Sequence, residues 1–115
     1  MDERLEKALE FSEHRATIET QRKNLQLRVE TQKTIHYNGG SFCADQTLIA
    51  FTKAQVDLGA ETFVVVDLRN NPFTIENPQD FLEKIVSAYN AAMNEFVNEE
   101  KRLRRMRNVK TIMDW

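Results

Sequence analysis

The chain has 115 residues, 41% of them hydrophobic and 30% charged, with a formal net charge of −2. That length allows one domain with a modest core, and the near-neutral balance excludes a global field that would draw in nucleic acid or anionic membranes. One cysteine, Cys43, excludes an internal disulfide and a cysteine-rich zinc site, and the longest purely apolar run, Phe63 to Val66, is far too short to span a bilayer. The Met1-Asp2-Glu3 start lacks the basic character of a signal peptide, so a soluble intracellular protein is expected.

Residues 1–30 read as a long helix, rich in Glu, Lys, Arg, Gln, Leu and Ala. Ala8, Phe11, Ile18, Leu25 and Val29 fall on one three-four seam, which Arg15 and Arg22 interrupt, while Leu5, Leu9 and Leu27 sit off it. Such a helix packs on one side and leaves much of its surface wet. The arginines on the seam either lay their stems on a partner or set its register.

Residues 31–76 read as a small mixed head. Thr34, Ile35, His36 and Tyr37 form a strand that ends at Asn38-Gly39-Gly40, a strong hairpin turn, with Ser41 to Ala44 as the short returning arm. Asp45 is placed to cap a short amphipathic helix carrying Leu48, Ile49, Phe51, Val56 and Leu58, with Gly59 as its C-cap. Thr62 to Leu68 is the best strand of the chain, and Phe73 to Ile75 is a second one beyond the Asn70-Asn71-Pro72 turn.

A second long helix runs over 77–110. Asn77 suits the N-cap and Pro78 the first helical position. Leu82, Ile85, Tyr89, Ala92, Phe96, Glu99, Leu103 and Met106 follow in alternating steps of three and four, and Phe81, Val86, Ala88, Met93 and Val97 widen the seam on its first half. At 1.5 Å per residue this helix spans on the order of 50 Å, more than one compact domain can cover, so it requires a partner. Residues 111–115 form an apolar tail with Ile112, Met113 and a terminal Trp115, a preferred interface anchor; the plainer reading is a tail folded back on its own chain.

The expected fold is therefore a single α+β domain over 1–115, predominantly helical, with two long helices pairing antiparallel around a small strand and short-helix head. Charge supports the pairing. Asp2, Glu3, Glu6, Glu10 and Glu13 open the first helix, Lys101, Arg102, Arg104, Arg105, Arg107 and Lys110 close the last, and an antiparallel pair brings them together. Two chains pairing helix to helix satisfy the same pattern. Leu82, Ile85, Tyr89 and Phe96 are expected to hold the head and the two long helices together, and Leu103 and Met106 to lie in a charged half that tolerates truncation and serves self-association or partners.

Little in the sequence points to chemistry. The basic run Lys101, Arg104, Arg105 and Arg107 can grip phosphates, but no aromatic residue interleaves it, and a solvated or paired charge cluster explains it as well. Asn38-Gly39-Gly40-Ser41 lacks the lysine of a phosphate loop. His14 and His36 are isolated, so no metal site is indicated. Cys43, His36 and Asp45 are near one another and of the right types for a nucleophile, base and orienting group, yet the neighbours of Cys43 are those of a packed residue. Asp67, at the end of the best strand, suits a turn cap better than an active-site carboxylate. No catalytic residue, cofactor or small-molecule substrate is indicated.

Four stretches carry a resemblance. They are the opening Met1 to Phe11, the central Asn38-Gly39-Gly40-Ser41-Phe42, Asn71-Pro72-Phe73-Thr74-Ile75-Glu76-Asn77-Pro78, and the Glu100-to-Lys110 end, Glu-Lys-Arg-Leu-Arg-Arg-Met-Arg-Asn-Val-Lys. Together the chain resembles small proteins of contractile-tailed phages, particularly those that infect cyanobacteria. The resemblance implies a phage origin and a place in the infected-cell cytoplasm or the virion; it brings no activity and no site residues. The expected function is a non-enzymatic protein–protein interaction protein, a phage assembly or virion component that binds a protein partner or itself as a homo-oligomer. The alternative is a nucleic-acid-associated accessory protein using the basic helix end; Lys101, Arg104, Arg105, Arg107, Ile112, Met113 and Trp115 are the expected contacts with a partner or with nucleic acid.

Overall fold

A computed structural model describes the backbone of residues 2–114 and the side chains of residues 2–106. Helix α1 spans Glu3–Lys33, strands β1 and β2 span Thr34–Tyr37 and Gly40–Cys43, and helix α2 spans Gln46–Asp57. Strands β3 and β4 span Phe63–Val66 and Pro72–Ile75, and helix α3 spans Pro78–Asp114. The fold is α+β and mainly helical. It divides into two compact units: a helical unit of Met1–Arg28 with Asn94–Trp115, and a mixed unit of Val29–Met93. The boundary falls inside both long helices and not at any glycine-rich or proline-rich linker.

The mixed unit is built from two antiparallel hairpins, β1 with β2 and β3 with β4. Asn38 and Gly39 both take positive φ, 51° and 84°, the backbone that a two-residue hairpin loop requires, and this fixes Tyr37 opposite Gly40 and Thr34 opposite Cys43. Gly40 has a separate reason to be glycine: a Cβ there would sit 2.9 Å from the Phe42 ring and 3.0 Å from that of Phe73. Asp45 caps α2 by accepting the Leu48 N–H at 2.8 Å. The helix ends one residue earlier than its sequence suggests, with Leu58 as C-cap and Gly59 (φ 74°) just beyond. The second hairpin pairs Phe63 with Ile75 and Val65 with Phe73, turning Val64 and Val66 outward. Asn77 accepts the Asp80 N–H at 3.1 Å and starts α3.

These elements close on Phe42, Ala44, Phe63, Ile75, Phe81, Leu82 and Ile85. Phe81 is the centre of that cluster. Its ring meets Tyr37 edge-on at 5.0 Å, Phe42 edge-on at 5.3 Å and Phe63 at 6.1 Å. Edge-to-face aromatic pairs contribute about 0.5–1.5 kcal/mol beyond the area they bury, so one side chain from the first turn of α3 ties together three of the four strands' aromatic residues. Tyr89 and Phe96, which the seam marks as core, are only half-buried.

In the helical unit, α1 buries Ile18 and Leu25 and α3 buries Leu103. Leu103 is 1% exposed, as deep as Ile85 in the mixed unit. The expected division of α3 into a core half and a tolerant charged half therefore fails at Leu103; Met106 is half-buried. Two ion pairs join the helices within this unit, Arg22 to Glu100 at 3.0 Å and Arg28 to Glu95 at 2.8 Å. Arg15 leaves the seam to solvent and pairs along its own helix with Glu19 at 3.5 Å, while His14 and Gln21 take half-buried places beside it. Helix α1 continues to Lys33, past the end that Val29 suggested, and α3 takes in the backbone of residues 111–114.

Candidate interaction surfaces

The basic end of α3 is where sequence reasoning placed a surface for partners. Lys101, Arg104 and Arg105 are exposed there. The run is not a bare cation patch, however. Arg102 donates to Glu99 at 2.9 Å, and Arg104 lies 3.5 Å from Glu100, which also receives Arg22. Each i,i+3 or i,i+4 pair is worth only ~0.3–0.5 kcal/mol, but the carboxylates of Glu99 and Glu100 offset part of the positive charge that a phosphate would meet. The inter-helix ion pairs that fall among the described residues take their cations from α1 and their anions from α3, and lie outside the acidic and basic runs expected to meet. The side chains of Arg107, Ile112 and Met113 lie outside the described residues, as does Trp115.

The residues with reactive side chains gather on the first hairpin and the loop after β3. Asp67 is buried. Its carboxylate accepts the backbone N–H of Arg69 and of Asn71, each at 2.9 Å, and that of Ser41 at 3.4 Å. Burial pushes its pKa up, but the N–H groups of Asn71, Ser41 and Arg69, with the Arg69 charge, outweigh burial and hold it below the usual carboxylate value. Asp67 thus cages the turn that places Asn70 at φ 62°, and it latches that turn to β2, where Leu68 also donates its N–H to the Ser41 carbonyl at 2.9 Å.

His36 and Ser41 face each other across the hairpin, with Nδ1 and Oγ 3.0 Å apart. Ser41 was not marked by the sequence, and its position opposite His36 in the register is the signal that finds it. The pair lacks the third member of a nucleophilic triad, because Asp67 bonds the Ser41 backbone and not the imidazole. Cys43 is held as a neutral thiol: burial raises its pKa, and the Lys33 charge only partly offsets this. Asp45 is occupied as the α2 cap. The arrangement supports a packed hairpin better than a nucleophile, base and orienting group.

A further network the sequence did not reveal lies at the start of α3. Tyr37 donates its hydroxyl to Asp80 at 3.0 Å, and Lys84 sits 5.1 Å from the Tyr37 ring centroid while approaching Asp80 at 3.5 Å. Burial and the hydrogen bond to Asp80 both raise the Tyr37 pKa, which keeps the hydroxyl a donor. Open depressions lie on the mixed unit. One, of about 310 Å³, is lined by Phe42, Leu48, Phe51, Val66 and Leu68 among others; the second, of about 490 Å³, lies against Ile35, Lys84 and Ala88. Among the described residues no group of three or more His, Cys, Asp or Glu is placed to hold a metal ion, and no helix is long and apolar enough to cross a membrane. No family model, curated protein or solved structure matches the chain.

Proposed function

We propose that this chain is a non-enzymatic protein–protein interaction protein, an assembly or virion component of a contractile-tailed phage. The observation that carries the reading is the distribution of the core. The apolar cluster around Phe81 lies in the mixed unit, while the α1 stretch up to Arg28 and the α3 stretch from Asn94 form a separate helical unit with long exposed faces. The exposed faces of two long helices offer surface for a protein partner. The phage assignment, with action in the infected-cell cytoplasm or the virion, rests on the sequence resemblance alone.

Antiparallel pairing of α1 and α3 in the helical unit is part of this reading. Its support is the order of the ion pairs: Arg22 meets Glu100 and Arg28 meets Glu95, so partners further along α1 lie earlier in α3. The nucleic-acid alternative is less well supported, since Arg102 and Arg104 are already engaged by Glu99 and Glu100. Capture of the tagged chain from infected cells, with and without nuclease, tests the choice. A protein complex of fixed stoichiometry that survives nuclease is the expected result. Retention that is lost with the nucleic acid would overturn the proposal.

A further inference from the structure

We propose that the contact between α1 and α3 in the helical unit is a releasable clasp, which opens while the mixed unit stays folded. This rests on the antiparallel pairing proposed above. The two units are held unequally. Phe42, Ala44, Phe63, Ile75, Leu82 and Ile85 close the mixed unit around the Phe81 ring. Among the described residues of the helical unit, the buried apolar side chains are Ile18, Leu25 and Leu103. A region with few buried apolar contacts opens at a lower free energy than the whole molecule.

Polar atoms separate the units further. His14 Nε2, Gln21 Oε1 and Arg22 Nε are buried without a hydrogen-bond partner. All three lie on α1 within the helical unit, whereas among the described residues of the mixed unit only Thr52 Oγ1 is in that state. A polar atom buried in this way gives up its water and gains no bond in return, and native proteins hold few of them. His14, Ile18, Gln21 and Leu25 follow in steps of four, three and four, so polar and apolar side chains alternate along one stripe of α1. A conflict between that stripe and its burial favours separation.

Opening removes the conflict. Water reaches all three atoms once the helices part, so the open state lies closer to the closed one than the buried hydrophobes alone would set it. The ion pairs fix the register of the clasp without locking it. In the Arg28–Glu95 pair the side chains are 52% and 32% exposed, and pairs so placed contribute little. Arg22 reaches Glu100 through a terminal nitrogen at 3.0 Å, which leaves its Nε as the orphan. A helix parted from its partner is marginal in water, so opening exposes its amides.

Native-state hydrogen exchange of the full chain, read by mass spectrometry, tests the clasp. Amides of residues 14–28 and 94–106 are expected to exchange together, about ten-fold or more faster than those of β1 to β4 but slower than an unfolded chain. Removing the orphaned carbonyl with Gln21→Leu is expected to slow both helical stretches about five-fold and to leave the strands unchanged. Gln21→Met, closer in shape, guards against a packing fault, and Gln26→Leu, at an exposed position of α1, is expected to change neither stretch. Helical stretches as protected as the strands overturn the clasp and leave the pairing intact. Failure of both Gln21 variants to slow the two stretches also overturns it, as does equal slowing of the strands or equal slowing by Gln26→Leu. Exchange of residues 14–28 at the rates of an unfolded chain overturns the clasp and the pairing together.

Discussion

Asp67 looks in the sequence like either a turn cap or a misplaced catalytic carboxylate, and its three backbone donors decide for the cap. Because its pKa is depressed in the folded chain, its contribution to stability is fully present above the ordinary carboxylate pKa. It declines below that value and is gone once the pH falls through the folded pKa. Asp67→Asn is therefore expected to destabilise the chain at neutral pH, with the gap to the unmodified protein narrowing as acid protonates Asp67; urea melts at several pH values measure this, and a constant gap would refute the assignment. Cys43 has the opposite sense. Its raised pKa favours the folded thiol below the ordinary thiol pKa, and that preference is lost as the pH rises through the folded value. Iodoacetamide at mildly alkaline pH should alkylate Cys43 more slowly in the native chain than in urea, and equal rates would mean an exposed thiolate. The packed setting of Cys43 was legible in its apolar neighbours. The His36–Ser41 contact was not, because it depends on the register that Asn38-Gly39 imposes.

At the scale of elements, local chemistry was legible and long-range packing was not. Asp45, Asn77, Pro78 and the Asn38-Gly39 turn act within a few residues of themselves, so the sequence places the start of α2, the start of α3 and the first hairpin closely. The centre of the core was missed because Phe81 gains its weight from rings on β1, β2 and β3, none of which its own helical period reveals. In the helical unit, runs of like charge suggested which groups meet; the inter-helix pairs among the described residues come from single residues outside those runs, Arg22 and Arg28 with Glu100 and Glu95, which no charge run reveals. Burial corrects the energetic expectation for α3 as well. Leu103→Ala should cost about 2–5 kcal/mol, as Ile85→Ala does, while Met106→Ala, from a half-buried site, should cost less. Chemical denaturation of the three variants checks the order, and a mild effect at Leu103 would restore the tolerant half.

For the whole molecule, the division into two units sets what a single lesion can do. Phe81→Ala removes the ring that three strands share, at roughly 3–5 kcal/mol out of a total that for a chain this size is only ~5–15 kcal/mol. Hydrogen exchange should then show β1, β2, β3 and β4 losing protection together, with amides of α1 before Arg28 less affected; protection lost in one hairpin alone would mean that Phe81 does not join them. The same division has a consequence for synthesis. The mixed unit is one continuous stretch, Val29–Met93, whereas the helical unit needs Met1–Arg28 together with Asn94–Trp115. On the ribosome the first stretch of α1 emerges early and waits while the whole mixed unit is translated, and only the last stretch of α3 gives Ile18 and Leu25 their cover. A nascent chain thus carries the apolar row of Ile18 and Leu25 on α1 uncovered until the stretch from Asn94 onward is made, and that row is where a holdase chaperone would bind.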